Sequence, residues 1–273
     1  MKNKFLINPG VWLLLLFILV AVFADILSPF SPNERFEPYS PPGAPHFLGT
    51  NDLGGDILAE LLHSTRVSLV VGIVSALIST FLGLMIGMLA GYYKGLVDEF
   101  LVGLTDIFLI IPTIPLLIVL AAFIKPGAWT IALLVGLLWW PASARVIRSK
   151  TLQVREMAFI KSAECLGFSR WRIMFYEILP NIFPVVLAKF LITFASAMIA
   201  EASISFLGLG DPLVKSWGMM LNAAFNKGGL INQMWWWYLP PGFCITLVVM
   251  GVMLTGLSLE KPGTKPMEEA LFT

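Results

Sequence analysis

Three ionisable side chains lie inside long apolar stretches of this sequence: Asp106, Lys189 and Glu201. A charge in hydrocarbon is costly, so such groups face a protein interior or a water-filled cavity and mark pairs, relays or solute paths. Asp106 falls about six residues into its stretch and Lys189 about seven into another, so at about 1.5 Å of rise per residue both lie roughly 10 Å from one membrane face. That depth brings an Asp106–Lys189 ion pair within reach, although a lysine near a helix end can also snorkel to the interface. Glu201 follows Lys189 by 12 positions, about 18 Å along a helix, too far for those two to pair. It is expected near the opposite face, either lining a path and meeting a cationic group or holding the adjoining loop by hydrogen bonds.

Other reactive residue types are sparse. Cys165 and Cys244 are too few for a disulfide framework and read as reduced thiols. His46 and His63 could serve nickel chemistry, but neither stands at metal-ligand spacing and both read as loop histidines. No Gly-x-x-x-x-Gly-Lys-[Ser/Thr] run occurs, so a nucleotide site would have to reside on another chain. No nucleophile or metal cluster gathers at one depth, as an intramembrane enzyme needs. No residue is therefore assigned to catalysis, a cofactor or a metal.

The elements that position these charges are membrane helices. The 273 residues are 58% hydrophobic and 13% charged, with mean hydropathy +0.84; a soluble domain carries about 25% charged residues. Net charge is +1, with no basic bias toward nucleic acid. A helix crossing the hydrocarbon core needs about 20 apolar residues. Six stretches serve: 7–27, 67–90, 100–124, 129–144, 182–205 and 238–259. The first follows Lys2 and Lys4 and ends near Val22-Phe23-Ala24 like a signal peptide; it is read as an uncleaved helix. With the N-terminus in the cytoplasm, the inside segments hold Lys2, Lys4, Lys94, Arg145, Arg148, Lys150, Arg155, Lys161, Arg170, Arg172, Lys261 and Lys265. The outside segments hold only Arg35, Arg66, Lys125, Lys215 and Lys227. This bias places both termini in the cytoplasm.

The outside segment 28–66 is rich in proline in its first half, and Asp56 to Thr65 reads as a short amphipathic helix at the outer surface. The segment 206–237 ends at a Trp235-Trp236-Trp237-Tyr238 cluster suited to the interfacial belt. Gly83, Gly87 and Gly91 recur on one side of the second helix and predict close packing within the chain. Pro112 and Pro115 predict a kink in the third. On the cytoplasmic side, 147–180 is far longer than the roughly 2–8 residues a simple connection needs. Met157, Ile160, Ala163, Cys165 and Leu166 fall at roughly helical spacing, Gly167 permits a turn, and Ser169 can cap a second short helix ending at Pro180. Periodicity alone leaves open whether this is a helix pair or a solvated basic loop.

A family resemblance resolves that choice. Lys161-Ser162-Ala163-Glu164-Cys165-Leu166-Gly167, nine residues, then Glu177-Ile178-Leu179-Pro180 resembles the signature loop of ABC-importer permeases. The match holds at Ala163, Gly167, Leu179 and Pro180; Lys161 stands where the family usually has Glu, Ser162 replaces an Ala, and Glu177 occupies an often aliphatic position. Leu48-Gly49-Thr50-Asn51-Asp52-Leu53-Gly54-Gly55-Asp56 is similar to the dipeptide/oligopeptide/nickel permease subfamily, with Gly55 where Arg is common. Ala144-Arg145-Val146-Ile147-Arg148, Ala200-Glu201-Ala202-Ser203, Phe206 through Gly210 and Ser216-Trp217-Gly218 are similar too. The tail from Glu260 does not match.

The resemblance implies an all-α integral membrane protein, a type I ABC importer permease fold forming one domain over 1–273, with six transmembrane helices and a cytoplasmic coupling-helix loop. It implies a homologous permease partner, two ATPase subunits that carry ATP and Mg, and an extracytoplasmic substrate-binding protein, all within a lipid bilayer. Met157, Phe159, Ile160, Leu166, Phe168 and Trp171 are the expected docking anchors. Arg170 and Arg172 form their rim, and Lys161, Ala163, Gly167 and Pro180 belong to the same coupling element. Asp106 and Glu201 are the candidates for the translocation path. Short peptides are the expected solute; nickel, a metal chelate or an oligosaccharide are the alternatives. A secondary transporter is the rival class, though no internal repeat supports it.

Overall fold

The computed structural model describes residues 8–124 and 127–259, with side chains to residue 256. Lys2, Lys4, Lys125, Lys261 and Lys265 from the charge tally, and the tail from Glu260, lie outside the described residues. The helices are α1 (Pro9–Val22), α2 (Ala24–Leu27), α3 (Ile57–Tyr93), α4 (Gly95–Ile110), α5 (Thr113–Phe123), α6 (Ala128–Arg155), α7 (Ala158–Cys165), α8 (Arg170–Arg172), α9 (Leu179–Ile204), α10 (Trp217–Asn226) and α11 (Trp235–Leu259). Wider π turns at Ile173–Ile178 and Ser205–Leu209 flank α9, joining it to α8 as one 40-residue helical run.

Each of the six apolar stretches corresponds to helix. Four runs are long and apolar enough to span: α3, α6, Arg170–Leu209 and Trp235–Gly256. The pair α4–α5, bent by 78°, is a fifth when the two are counted as one broken span. The first stretch holds α1, whose 14 residues pack along the bundle. Asn8 starts it by accepting the Gly10 N–H at 2.9 Å, and Pro9 takes the first turn, where its missing N–H costs nothing.

Several boundaries differ from the sequence reading. Asp56 to Thr65 is not a separate surface helix; it forms the first turns of the 37-residue α3. Its polar Glu60, Ser64 and Thr65 are buried against neighbouring segments, so the face that read as solvent-exposed is an internal one. The fourth stretch is not short: α6 has 28 residues and carries Arg145, Arg148 and Lys150 on the same rod as its apolar half. The third stretch is broken rather than kinked. Ile111 and Pro112 are extended and flank the gap, and Pro115 falls in the first turn of α5, where proline is tolerated.

The fourth difference concerns Pro180, which does not end a helix. A proline inside an α-helix clashes with the carbonyl four residues back. Here the Leu179 N–H reaches back five residues to the Met174 carbonyl, and this π spacing widens the turn just before the ring enters.

Packing centres on α3 against α6. A Cβ built on Gly83 would lie 2.6 Å from the Ser143 Cβ, on Gly87 2.5 Å from the Ala144 carbonyl oxygen, and on Gly91 2.7 Å from the Thr151 Cβ. The two backbones therefore touch directly over two turns, within one chain, as the glycine spacing predicted. In lipid no hydrophobic gain favours helix pairing, so this closeness supplies the attraction through dispersion.

Beside the proline-rich segment, short-range hydrogen bonds tie the chain to the first turns of α3. Asp56 caps that helix through the Ala59 N–H at 2.8 Å and also bonds His46 at 2.9 Å. Asn51 accepts the N–H groups of Leu53 and Gly55 and donates to Glu60 at 2.6 Å, and the Lys215 ammonium also donates to Glu60. Gly54 has φ +76°, and a Cβ there would collide with the Phe36 carbonyl.

Gly87→Leu is expected to force α3 and α6 apart and lower the melting temperature in detergent strongly, beyond the roughly 1–3 kcal/mol of ordinary overpacking. Gly103→Ala, where no atom lies within 4 Å of the new Cβ, should leave it unchanged or raise stability by about 0.5–1 kcal/mol.

Candidate functional site: the elbow and the intramembrane charges

The connection between α6 and α9 is an elbow built from α7, a glycine turn and α8. The α6 helix runs to Arg155, and Glu156 and Met157 make the corner into α7. Gly167, at φ +76° with open space around it, reverses the chain, a conformation that costs glycine little. Ser169 then caps the next helix by accepting the Arg172 N–H at 3.4 Å. The helix pair expected from the sequence is present, but its second member continues unbroken into the bundle.

One side of the elbow is its foundation. Ile160 is fully buried and Ala163 is 6% exposed. With Ile173, Met174 and Ile178 they pack on Met88 and Tyr92 of α3 and on Ile147 and Val154 of α6. This corrects the sequence reading of Ile160 as a docking anchor, and Ala163 faces inward with it. Helical spacing put all the apolar residues of α7 on one list; only the tertiary contact separates the inward pair from the rest.

The other side is open. Met157, Phe159, Leu166 and Trp171 are exposed, Leu166 at 73% and Trp171 at 57%. Trp171 stacks on Phe175 with ring centroids 5.8 Å apart, and the Arg172 guanidinium lies 4.0 Å over the half-buried Phe168 ring. Lys161, Arg170 and Pro180 are exposed around them. Tyr176, 76% exposed, joins this surface. The sequence reading did not single it out, although it lies within the second short helix read there.

Charges fix the elbow to the end of α3. The Lys94 ammonium donates to Glu156 at 2.6 Å, and Lys161 reaches the other oxygen of the same carboxylate at 3.4 Å. The hydrogen bond from Lys94, then that from Lys161, holds the Glu156 carboxyl below the usual carboxylate range. Arg155 lies 5.4 Å from the Tyr92 ring and Arg170 5.5 Å from the Tyr93 ring. Lys161, which departs from the family pattern, has here a carboxylate supplied by Glu156.

Within the bundle the charges are matched differently from expectation. Asp106 pairs with Arg145 at 2.7 Å, not with Lys189. One turn of α6 away, Arg148 grips both oxygens of Asp98 at 2.5 and 2.6 Å. Both arginines had counted only as positive residues beyond the membrane; the length of α6 brings them opposite α4. Lys189 lies on another side, against Phe108, Thr113 and Trp139. Glu201 is 3% exposed and accepts hydroxyl hydrogens from Ser205 at 2.7 Å and Ser216 at 2.6 Å. It is a clasp between α9 and the cap of α10. His46 and His63 are engaged with Asp56 and Asp25.

The relatives agree with this architecture. Residues 83–260 match the family described as binding-protein-dependent transport system inner membrane component. The dipeptide transport system permease protein DppC of Bacillus subtilis is 30% identical over 262 residues, covering 95% of this chain and 81% of the relative. DppC of Alkalihalophilus pseudofirmus is 33% identical over 265 residues, covering 95% and 85%. The glutathione transport system permease protein GsiD of Pectobacterium atrosepticum is 34% identical over 265 residues, covering 95% and 86%. A helical bundle carrying an elbow seated on its two most closely packed helices, together with similarity along nearly its whole length, makes this chain a member of the binding-protein-dependent transport system inner membrane component family.

Proposed function

We propose that this chain is one permease subunit of an ATP-driven importer of short peptides, and that the elbow is the surface an ATPase subunit grips. The observation that carries the reading is the two-sided elbow: buried on α3 and α6 on one face, open and aromatic on the other. A solvated loop has no use for Trp171, Leu166, Phe159 and Tyr176 held in place by a packed base. Burying one such side chain fully is worth about 1.5–3 kcal/mol, so a few suffice for a firm contact with a partner. Arg170 and Arg172 surround the patch as a polar rim.

The elbow lies in the cytoplasm in this reading, with both termini on that side and the segments 28–56 and 210–234 on the other. A homologous permease completes the path, two ATPase subunits bind and hydrolyse ATP with Mg, and an external binding protein delivers the solute. The ATPases shift the bundle only through contacts that differ between their open and closed states, and the buried foundation carries that difference to α3 and α6. The Asp106–Arg145 pair, about half exposed on both sides, borders the cytoplasmic end of the path. Peptides are favoured as solute because the dipeptide and glutathione permeases are similar to this chain over nearly its full length. Uptake of labelled dialanine by a strain lacking this chain, with and without its restoration, tests the solute class.

Leu166→Glu and Trp171→Glu should each strip the ATPase subunits from the purified complex, weakening docking by about 2 kcal/mol or more, roughly thirtyfold, with the permease melting temperature unchanged. Ile160→Ala should do the reverse, lowering that temperature by the equivalent of about 2–5 kcal/mol. Equal effects of all three on melting would remove the two-sided reading.

The Glu156 tie sets a pH dependence. A carboxyl held below its ordinary range stabilises the fold above that range, and the contribution is lost as pH falls through the depressed value. Hydrogen exchange of α7 amides is expected to stay slow from neutral pH down past the ordinary carboxylate range and then quicken. Glu156→Gln should exchange faster at neutral pH and lack that transition.

A further inference from the structure

One face of α9 is open, and its composition is unusual for a face turned to lipid. Lys189, Ser196 and Ser203 follow one another at seven-residue steps, two turns each, interleaved with exposed Ile192 and Ile199. Lys189 is half-buried in a groove of about 300 Å³ shared with Phe108, Thr113, Trp139, Thr193 and Ser196. The groove sits where α4 and α5 part at their 78° break. A second groove of about 310 Å³ shares Trp139 and Ser196 and continues along α9 past Ile199 to Ser203 and Leu207. Together they make a furrow with an ammonium at one end and hydroxyls along it.

Lys189 is also set apart by what it lacks. Arg145 and Arg148 each have a carboxylate partner, whereas among the described residues no side chain forms an ion pair or hydrogen bond with Lys189. It stands 19 residues after Arg170 in a 40-residue helical run, about 28 Å along it, beside Pro141 and Ala142 in the middle of α6. An ammonium within an apolar span needs water or an anion.

We propose that Lys189 faces the solute path and receives the carboxylate of the passing solute. The proposal rests on the importer reading. A lysine ammonium is a compact charge with three donors on a flexible stem, suited to carboxylates arriving in different orientations. The furrow's few hydroxyls match a peptide backbone without binding one sequence, and a single cation holds the solute weakly enough to release it.

The test uses the full complex with its partner subunits, reconstituted in liposomes, with dialanine as the probe. Lys189→Gln is expected to cut the maximal uptake rate about tenfold, the scale of one charge-assisted hydrogen bond. KM and the ATPase rate should be unchanged, and Lys189→Arg should keep most of the rate. Uptake by Lys189→Gln at the unaltered rate would overturn the proposal, as would equal loss in both variants. A second arm is independent of the solute: Lys189→Cys in a background of Cys165→Ser and Cys244→Ala. Reaction with a sulfonate-bearing methanethiosulfonate supports a water-filled path; reaction only with an apolar maleimide places the residue against lipid and overturns it. If the unaltered complex fails to import dialanine, the peptide reading falls, and the thiol arm still decides where Lys189 faces.

Discussion

The rest of the molecule depends on the contact between α3 and α6, where Gly83, Gly87 and Gly91 let one backbone rest on the other. Attraction at that distance comes from many weak atom pairs, each lost if the helices part by a fraction of an ångström. The pair is therefore stiff where it touches. At its elbow end Met88, Tyr92, Ile147 and Val154 form the seat for Ile160, Ile173, Met174 and Ile178. The elbow is thus seated on the helix pair whose backbones lie in direct contact.

Stiffness continues through the second arm of the elbow. Arg170 to Leu209 is one helical run although Pro180 and Pro184 interrupt its hydrogen bonds. The π turn before Pro180 absorbs the first proline without a break. By contrast, α4 and α5 come fully apart at Ile111 and Pro112, and they flank the groove that holds Lys189. Proline has two outcomes in this chain: a widened turn that keeps the helix continuous, and a gap that borders a groove.

Much of this was legible in the sequence. Apolar length and composition gave the helical membrane class, and glycine spacing gave the α3–α6 contact. The motif around Ala163, Gly167, Leu179 and Pro180 located the elbow. What was not legible depended on which residue of a periodic set meets which neighbour. Ile160 and Phe159 are adjacent and both apolar, yet one is sealed in and the other open. Asp106 had two basic residues at compatible depth, and only the true length of α6 favours Arg145 over Lys189. Gly55, where the family commonly has Arg, was unexplained from sequence. A Cβ there would lie 2.9 Å from Glu60 Oε1 and 3.4 Å from an Arg35 nitrogen, while Lys215 bonds Glu60 from the other loop. A cation from elsewhere in the chain, Lys215, thus already holds that carboxylate.

The Glu201 clasp has a consequence for how the two ends of the molecule communicate. The Ser216 oxygen donates to Glu201 and accepts from the Met219 N–H, so a single atom fastens α9 to the start of α10. From the elbow to Glu201 the chain stays helical, through the π turn before Pro180 and past Pro184. Any displacement of the outer end of α9 would therefore be felt first at the start of α10, next to the loop that holds Leu213 and Val214.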